Sequence, residues 1–283
     1  MPHIRFARFV ILDSLREGEE SPSGRHLYEA LEPYCSGYKF PIPIERIPIP
    51  TRPALFEALE RIRAQAVQTD RTPLLHFECH GNDDGIKLAG GDFVFWEPLA
   101  ETLALLNATT RFNLFVSVAA CFGAYLSSQF VPTQRAPVSA CLSTTKKAYP
   151  DELLRGFRTF YQTLLSTDDA NKSISALKEV NKEANQSFYL GEATDFFTRT
   201  YSAYLERLCT PEKYRERARD MHEEQKERGL VVATVEDLEQ ILVSTERHSF
   251  EKAKEHYFMI DLLPENAARF PIAWTDVDRR RRA

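Results

Sequence analysis

Residues 73–81 read Pro73-Leu74-Leu75-His76-Phe77-Glu78-Cys79-His80-Gly81, and residues 112–123 read Phe112-Asn113-Leu114-Phe115-Val116-Ser117-Val118-Ala119-Ala120-Cys121-Phe122-Gly123. Each is a short apolar run that stops at a reactive side chain with glycine close behind. Runs of this length and make-up are expected to form buried strands. The stops fall at His80 and Cys121, which lie 121 − 80 = 41 residues apart. If the two strands lie side by side, an imidazole meets a thiol, and a neighbouring base is what turns a thiol into a nucleophile.

Outward from these runs, strands alternate with helices. Residues 4–15 read as a first strand, and Ser21-Pro22-Ser23-Gly24 as a turn opening a helix at about Gly24. Residues 40–47 are β-rich but carry two prolines, which suits an edge strand. Thr51 caps a helix that runs to about Ala66, with Pro53 in its first turn. Ala89-Gly90-Gly91 marks a hairpin between residues 85–88 and 92–96. A helix follows to about Asn107, and another is expected to start at Cys121 and run to Gln129. Residues 138–143 read as a further strand, 151–165 and 173–185 as helices, and 187–190 as a last strand. The alternation implies an α/β fold with a mainly parallel sheet and helices on both faces. Sites in such sheets lie at the carboxyl ends of the strands, where His80 and Cys121 fall.

From about residue 196 the pattern turns helical and charged. The division is therefore 1–195 for the α/β domain and 196–283 for a mostly helical C-terminal extension packing on it. Thr234-Val235-Glu236-Asp237 resembles a capping box, and residues 258–274, apolar with prolines, are expected to lack regular structure.

The chain has 283 residues, 43% of them hydrophobic and 27% charged, with a net charge of −5. These are ordinary globular values. The acidic balance argues against direct nucleic-acid binding by bulk charge, and the basic cluster Arg279–Arg282 reads as a solvated tail. No apolar stretch approaches the roughly 18 residues a membrane span requires, and the first residues lack a signal-peptide layout. The five cysteines form no paired framework, which fits a reducing cytoplasm. There is no phosphate-loop, dinucleotide or GxSxG pattern, so no cofactor is expected. His248, Glu251, Glu255 and His256 have no strong ligand spacing, so no metal is expected either.

The block from Leu74 to Gly81 followed by Val116 to Gly123 resembles the caspase-like cysteine peptidases, in which one apolar strand ends in His-Gly and the next in Ala-Cys. The likeness is closer to their CHAT branch, carried by His76, Phe77, His80 and Gly81 on one strand and Ala119, Ala120 and Cys121 on the other. Phe160-Tyr161 and Ala176-Leu177 on later helices add to it. The resemblance spans about residues 4–195 and implies a caspase-like three-layer sandwich. It also implies Cys121 as nucleophile, His80 as general base and acid, and Gly81 with Cys121 as oxyanion hole. Ala119 departs from the polar residue that caspases place there, so aspartate specificity does not carry over.

Members of the branch resemble triggered effectors, often in bacterial defence. The implied partners are thus a protein substrate and an activator or regulatory protein. Asp83, Asp84 and Asp151 fall in loops that can border the substrate pocket. Carboxylates there would favour cleavage after a basic residue. Against endopeptidase action stands a catalytically inactive binding or scaffold module on the same fold. His76 is expected to be a buried structural histidine, sharing a face with His80.

Overall fold

The computed structural model describes residues 6–16, 18, 22–37, 41–69, 72–180, 188–230 and 233–278. Two compact units are present: Met1–Phe130 with Ala136–Ala193, and Val131–Arg135 with Thr194–Ala283.

The first unit is built on a six-stranded sheet. Its strands are β1 (Phe6–Asp13), β2 (Ile44–Pro48), β3 (Thr72–Glu78), β7 (Phe115–Ala119), β8 (Ala140–Thr144) and β9 (Phe188–Glu192). A small antiparallel sheet holds β4 (His80–Gly81), β5 (Gly85–Lys87) and β6 (Phe93–Phe95). The large sheet runs in the order β2-β1-β3-β7-β8-β9, parallel except for β9, which pairs antiparallel with β8. Proline-bearing β2 lies at an edge, where a missing N–H leaves no ladder bond unmade. Strands buried on both faces need continuous apolar sequence. Val10, Ile11 and Leu12 accordingly have no exposed surface.

Helices α1 (Ser23–Gly37), α4 (Pro150–Thr167) and α5 (Ala170–Val180) cover one face. Leu27, Leu31, Phe157, Phe160 and Leu177 meet Phe9, Ile11, Leu74, Phe115 and Leu142 there. Alternation turns Val10, Leu12, Leu75 and Phe77 to the opposite face. On that side α2 (Arg52–Thr69) and α3 (Trp96–Thr109) pack together through apolar stripes. The helix expected over 173–185 is described to Val180, and residues 181–187 lie outside the described residues, as do Ser21 and the cluster Arg279–Arg282.

The small sheet is fastened to the carboxyl end of β1. Ala89 N–H donates to Ser14 Oγ at 2.9 Å, and Ser14 Oγ–H donates to Ile49 O at 2.7 Å. Gly90 N–H reaches Pro50 O at 2.7 Å, and Arg52 N–H reaches Asp92 Oδ2 at 2.8 Å. The hairpin is thus held where the large sheet ends.

The second unit is helical: α6 (Ala193–Leu208), α7 (Pro211–Glu227), α8 (Val235–Tyr257), α9 (Asn266–Arg269) and α10 (Trp274–Val277). Residues 258–265 and 270–273 lack regular structure as expected, and the short α9 interrupts them. Thr210 and Thr234 cap α7 and α8 through bonds from Lys213 N–H and Asp237 N–H. The unit's core is aromatic, with Phe197, Phe250, Tyr257 and Phe258 wholly buried. Arg135 ties the 131–135 segment to Asp261 by two bonds of 2.9 and 2.6 Å.

Candidate active site

β3 and β7 are neighbours and pair in parallel from Leu74↔Phe115 to Glu78↔Ala119. Every rung has the same sequence offset as His80 and Cys121. The two strands therefore lead to those residues at one level, just past the carboxyl edge of the sheet. Cys79 N–H bonds Ala119 O at 3.4 Å and extends the pairing one step beyond β3. The chain then leaves the large sheet, and His80 and Gly81 pair antiparallel with Lys87 and Ile86. His80 thus belongs to the hairpin sheet and not to the end of the main strand, a correction to the sequence reading. The turn at Asn82, whose Oδ1 accepts from the N–H groups of Asp84 and Gly85, fixes that departure.

Gly81 is the point where the two strand exits touch. A Cβ here would stand 2.7 Å from Cys121 O and 3.0 Å from Ala120 Cβ, closer than atoms pack, so only glycine fits. Asn82 N–H bonds Gly85 O, which makes Gly81↔Ile86 the non-hydrogen-bonded pair of the ladder. The Gly81 N–H consequently points away from β5.

Cys121 is half-buried, whereas Cys35, Cys79, Cys141 and Cys209 are buried. Burial pushes the Cys35 thiol up to about 11 and the Cys141 thiol up to about 12. Burial and then the nearby carboxylates of Glu78 and Asp13 raise that of Cys79 further. Phe122, next in the chain, has φ of +58°, a left-handed conformation that costs a side-chain-bearing residue about 1–2 kcal/mol. It is held by Phe122 N–H to Lys146 O at 3.2 Å and by Thr144 Oγ1–H to Ala120 O at 3.0 Å.

The helix expected to start at the cysteine is instead a 3₁₀ helix, Gly123–Gln129, separated from Cys121 by Phe122. Gly123 lies so close to Val118 that a Cβ would meet its Cγ1 at 2.9 Å, and this contact favours the tight turn. Cys121 therefore lacks the helix N-terminus that the sequence suggested. Its thiol donates to Ala148 O at 3.7 Å. Among the described residues no hydrogen bond joins it to His80.

His80 is exposed and lines a cavity of about 260 Å³ together with Arg16, Lys87, Leu88 and Ala89. Arg16 Nε–H donates to Ala89 O at 2.6 Å, which holds the guanidinium beside the cavity. None of Asp83, Asp84 and Asp151 lines it. Asp83 and Asp84 sit exposed at the hairpin tip, where their carbonyl oxygens accept from Trp96 Nε1–H at 3.1 Å and Trp96 N–H at 3.0 Å. Asp151 is exposed in the first turn of α4. The two cations were missed because neither belongs to a motif. Arg16 follows the end of β1, and Lys87 becomes a neighbour of His80 only when the hairpin closes.

His76 has no exposed surface. Its Nε2 lies 2.7 Å from Glu78 Oε2, and its Nδ1 is 2.8 Å from Ser117 Oγ and 3.1 Å from Tyr161 OH. Ser23 Oγ–H donates to Glu78 Oε1 at 2.5 Å, and Ser117 bonds Tyr161. The Glu78 carboxylate can only accept from Nε2–H, and Nδ1 faces the hydroxyls of Ser117 and Tyr161. The network joins β3, β7, α1 and α4, so this histidine is structural.

Among the described residues no group of three or more His, Cys, Asp and Glu side chains is placed to hold a metal ion. On α8, Glu251 pairs with Lys254 and Glu255 with Lys252. No helix of the described residues is long and apolar enough to cross a membrane. In comparison with known proteins, the chain matches no family model and no curated protein.

Proposed function

We propose that the first unit is a cysteine endopeptidase of the caspase-like, CHAT-like kind, with Cys121 as nucleophile and His80 as general base and acid. The observation that carries this reading is the common offset of β3 and β7, which brings both residues past one sheet edge with Gly81 packed on the Cys121 backbone. The Cys121 proton passes to the His80 imidazole, and the sulfur attacks the peptide carbonyl carbon. The C–N bond breaks as His80 returns the proton to the leaving amine. Water then attacks the thioester, giving the acid and the free thiol. The Gly81 and Cys121 N–H groups are the proposed donors to the oxyanion.

The cations beside His80 alter the substrate expected from the sequence. A carboxylate suits a cavity lined by Arg16 and Lys87, so an acidic side chain near the scissile bond replaces the basic one. Lys146 and Lys147, exposed on the loop that approaches Cys121, add to the positive field. The Cys121–Ala148 bond favours an enzyme held inactive until an activator moves that loop. In this reading the protein is a cytoplasmic, triggered effector of bacterial defence that cuts one partner protein.

The same bond supports the second reading, a non-catalytic scaffold. Peptidyl acyloxymethyl ketones ending in Asp, Leu or Lys separate the two when labelled sites are read by mass spectrometry. The peptidase reading expects Cys121 alone to be alkylated, fastest by the Asp reagent, with loss of labelling in His80→Gln. Equal or absent labelling of Cys79, Cys121 and Cys141 supports the scaffold.

A further inference from the structure

The second unit contains a hollow of about 550 Å³. Its walls are α6, α8 and the segment 131–133. Side chains normally interdigitate between packed helices. Here the groups at the hollow include the small Ala203, Ser249 and Ala253, and the space between the helices stays open. The floor is Tyr201, buried and packed by its ring on Phe197 and Phe250. At the rim Val131, Tyr204 and Leu208 are exposed to 36%, 37% and 48%. Apolar groups left in water around one concavity mark a binding surface more than scattered ones do. The volume falls within the range of roughly 300–1,000 Å³ typical of small-molecule sites.

Among the described residues the lining carries a single charged side chain, that of Arg207. Arg217 stands behind the same rim, with its guanidinium donating to Leu208 O at 2.7 Å and to Tyr204 OH at 3.4 Å. An apolar chamber with a guanidinium at its mouth suits a ligand with an apolar body and one anionic end, since a guanidinium binds a carboxylate through paired hydrogen bonds.

We propose that this hollow is a binding site for an amphipathic carboxylate, with the hydrocarbon part over Tyr201 between α6 and α8 and the carboxylate on Arg207. The site is independent of Cys121 and His80. Two sources share this chemistry: a free long-chain acid, and the anionic lipid of a membrane surface. The hollow fits the first, because its apolar walls enclose a small volume and do not form a broad face.

The test uses the full chain and calorimetric titration with dodecanoate, dodecanol and dodecyltrimethylammonium, each below its micelle concentration. Dodecanoate is expected to bind as one molecule per chain, about tenfold or more tightly than the alcohol or the cation. Arg207→Gln should erase the preference for the acid and leave alcohol binding unchanged. Ala253→Trp, which fills the hollow, should abolish binding of both, with thermal melting showing that the variant is folded. If that variant unfolds, Ser249→Phe fills the same space from the preceding helical turn. Equal affinity of the native chain for acid and alcohol, or undiminished dodecanoate binding in a folded, filled variant, overturns the proposal. Sedimentation with phosphatidylglycerol vesicles separates the sources. No Arg207-dependent sedimentation is expected, and its appearance would assign the surface to a membrane instead.

Discussion

His76 and His80 stand four residues apart on one run of sequence and meet opposite surroundings. Inside the sheet, His76 is sealed by Glu78, Ser117 and Tyr161, and both ring nitrogens are engaged. Beyond the sheet, His80 is exposed next to Arg16 and Lys87. The same contrast holds between the buried Cys79 and the half-buried Cys121. A polar group saturated by partners contributes to folding and has no capacity left for chemistry. Only groups carried past the last ladder bond remain available. The strand end divides the two roles, and the residue type does not.

The strongest test of this division removes groups from the outer side. Cys121→Ala and His80→Gln should each lower turnover of an acidic peptide by about a thousandfold or more, with urea midpoints unchanged. Loss of the fold in either variant would place these residues on the inner side instead. The inverse change, His76→Leu, strands the Glu78 carboxylate in the interior. It should cost about 1–3 kcal/mol in urea unfolding, the scale of a buried acceptor left without a donor, while the fraction that stays folded keeps its reactivity toward the Asp ketone.

A smaller effect concerns specificity. Lys87→Glu should slow alkylation by the Asp ketone about tenfold, the scale of one lost ion pair at a partly exposed site, and should speed the Lys ketone. No change in their ratio would detach the cavity from substrate choice.

The smallest effect is expected at Asp13, whose carboxyl burial raises above the usual aspartate range although Leu15 N–H and Arg46 oppose the shift. A carboxyl with a raised folded pKa favours the native state while protonated. Its contribution is complete below its unfolded pKa of about 3.9 and is lost as pH rises through the higher folded value. Asp13→Asn should therefore flatten the fall in stability just above that range, as measured by urea midpoints from pH 4 to 7. A profile identical to that of the native chain would show that Asp13 does not titrate differently on folding.

The α/β alternation was legible because parallel strands buried on both faces need largely apolar runs, and 73–78 and 114–119 are such runs, interrupted by His76, Glu78 and Ser117. His80, Gly81 and Cys121 could be singled out because each ends or follows a run. The identity of the sheet holding His80 was hidden, since the turn at Asn82 decides it and a two-residue strand leaves no periodicity to read. The 3₁₀ geometry after Cys121 was equally hidden. It depends on the contact of Gly123 with Val118 and on the left-handed Phe122, which no local pattern announces. Arg16 and Lys87 are separated by two helices, α1 and α2, and by strands β2, β3 and β4, and only tertiary closure brings them to one cavity. The acids at 83 and 84 were conspicuous because they directly follow His80-Gly81, and Asp151 because it follows the strand after Cys121.

The constant offset between β3 and β7 has a consequence for how such a chain can change over generations. Hydrogen bonds between two central strands set the level at which β3 and β7 end, and the length of chain joining them does not. α3 and the loops beside it can therefore gain, lose or exchange residues without shifting β3 against β7, whereas His80 keeps its place only while it pairs with Lys87. In the proposed reading, substitutions at the exposed Lys87 would change substrate preference while the register of the two central strands stays in place.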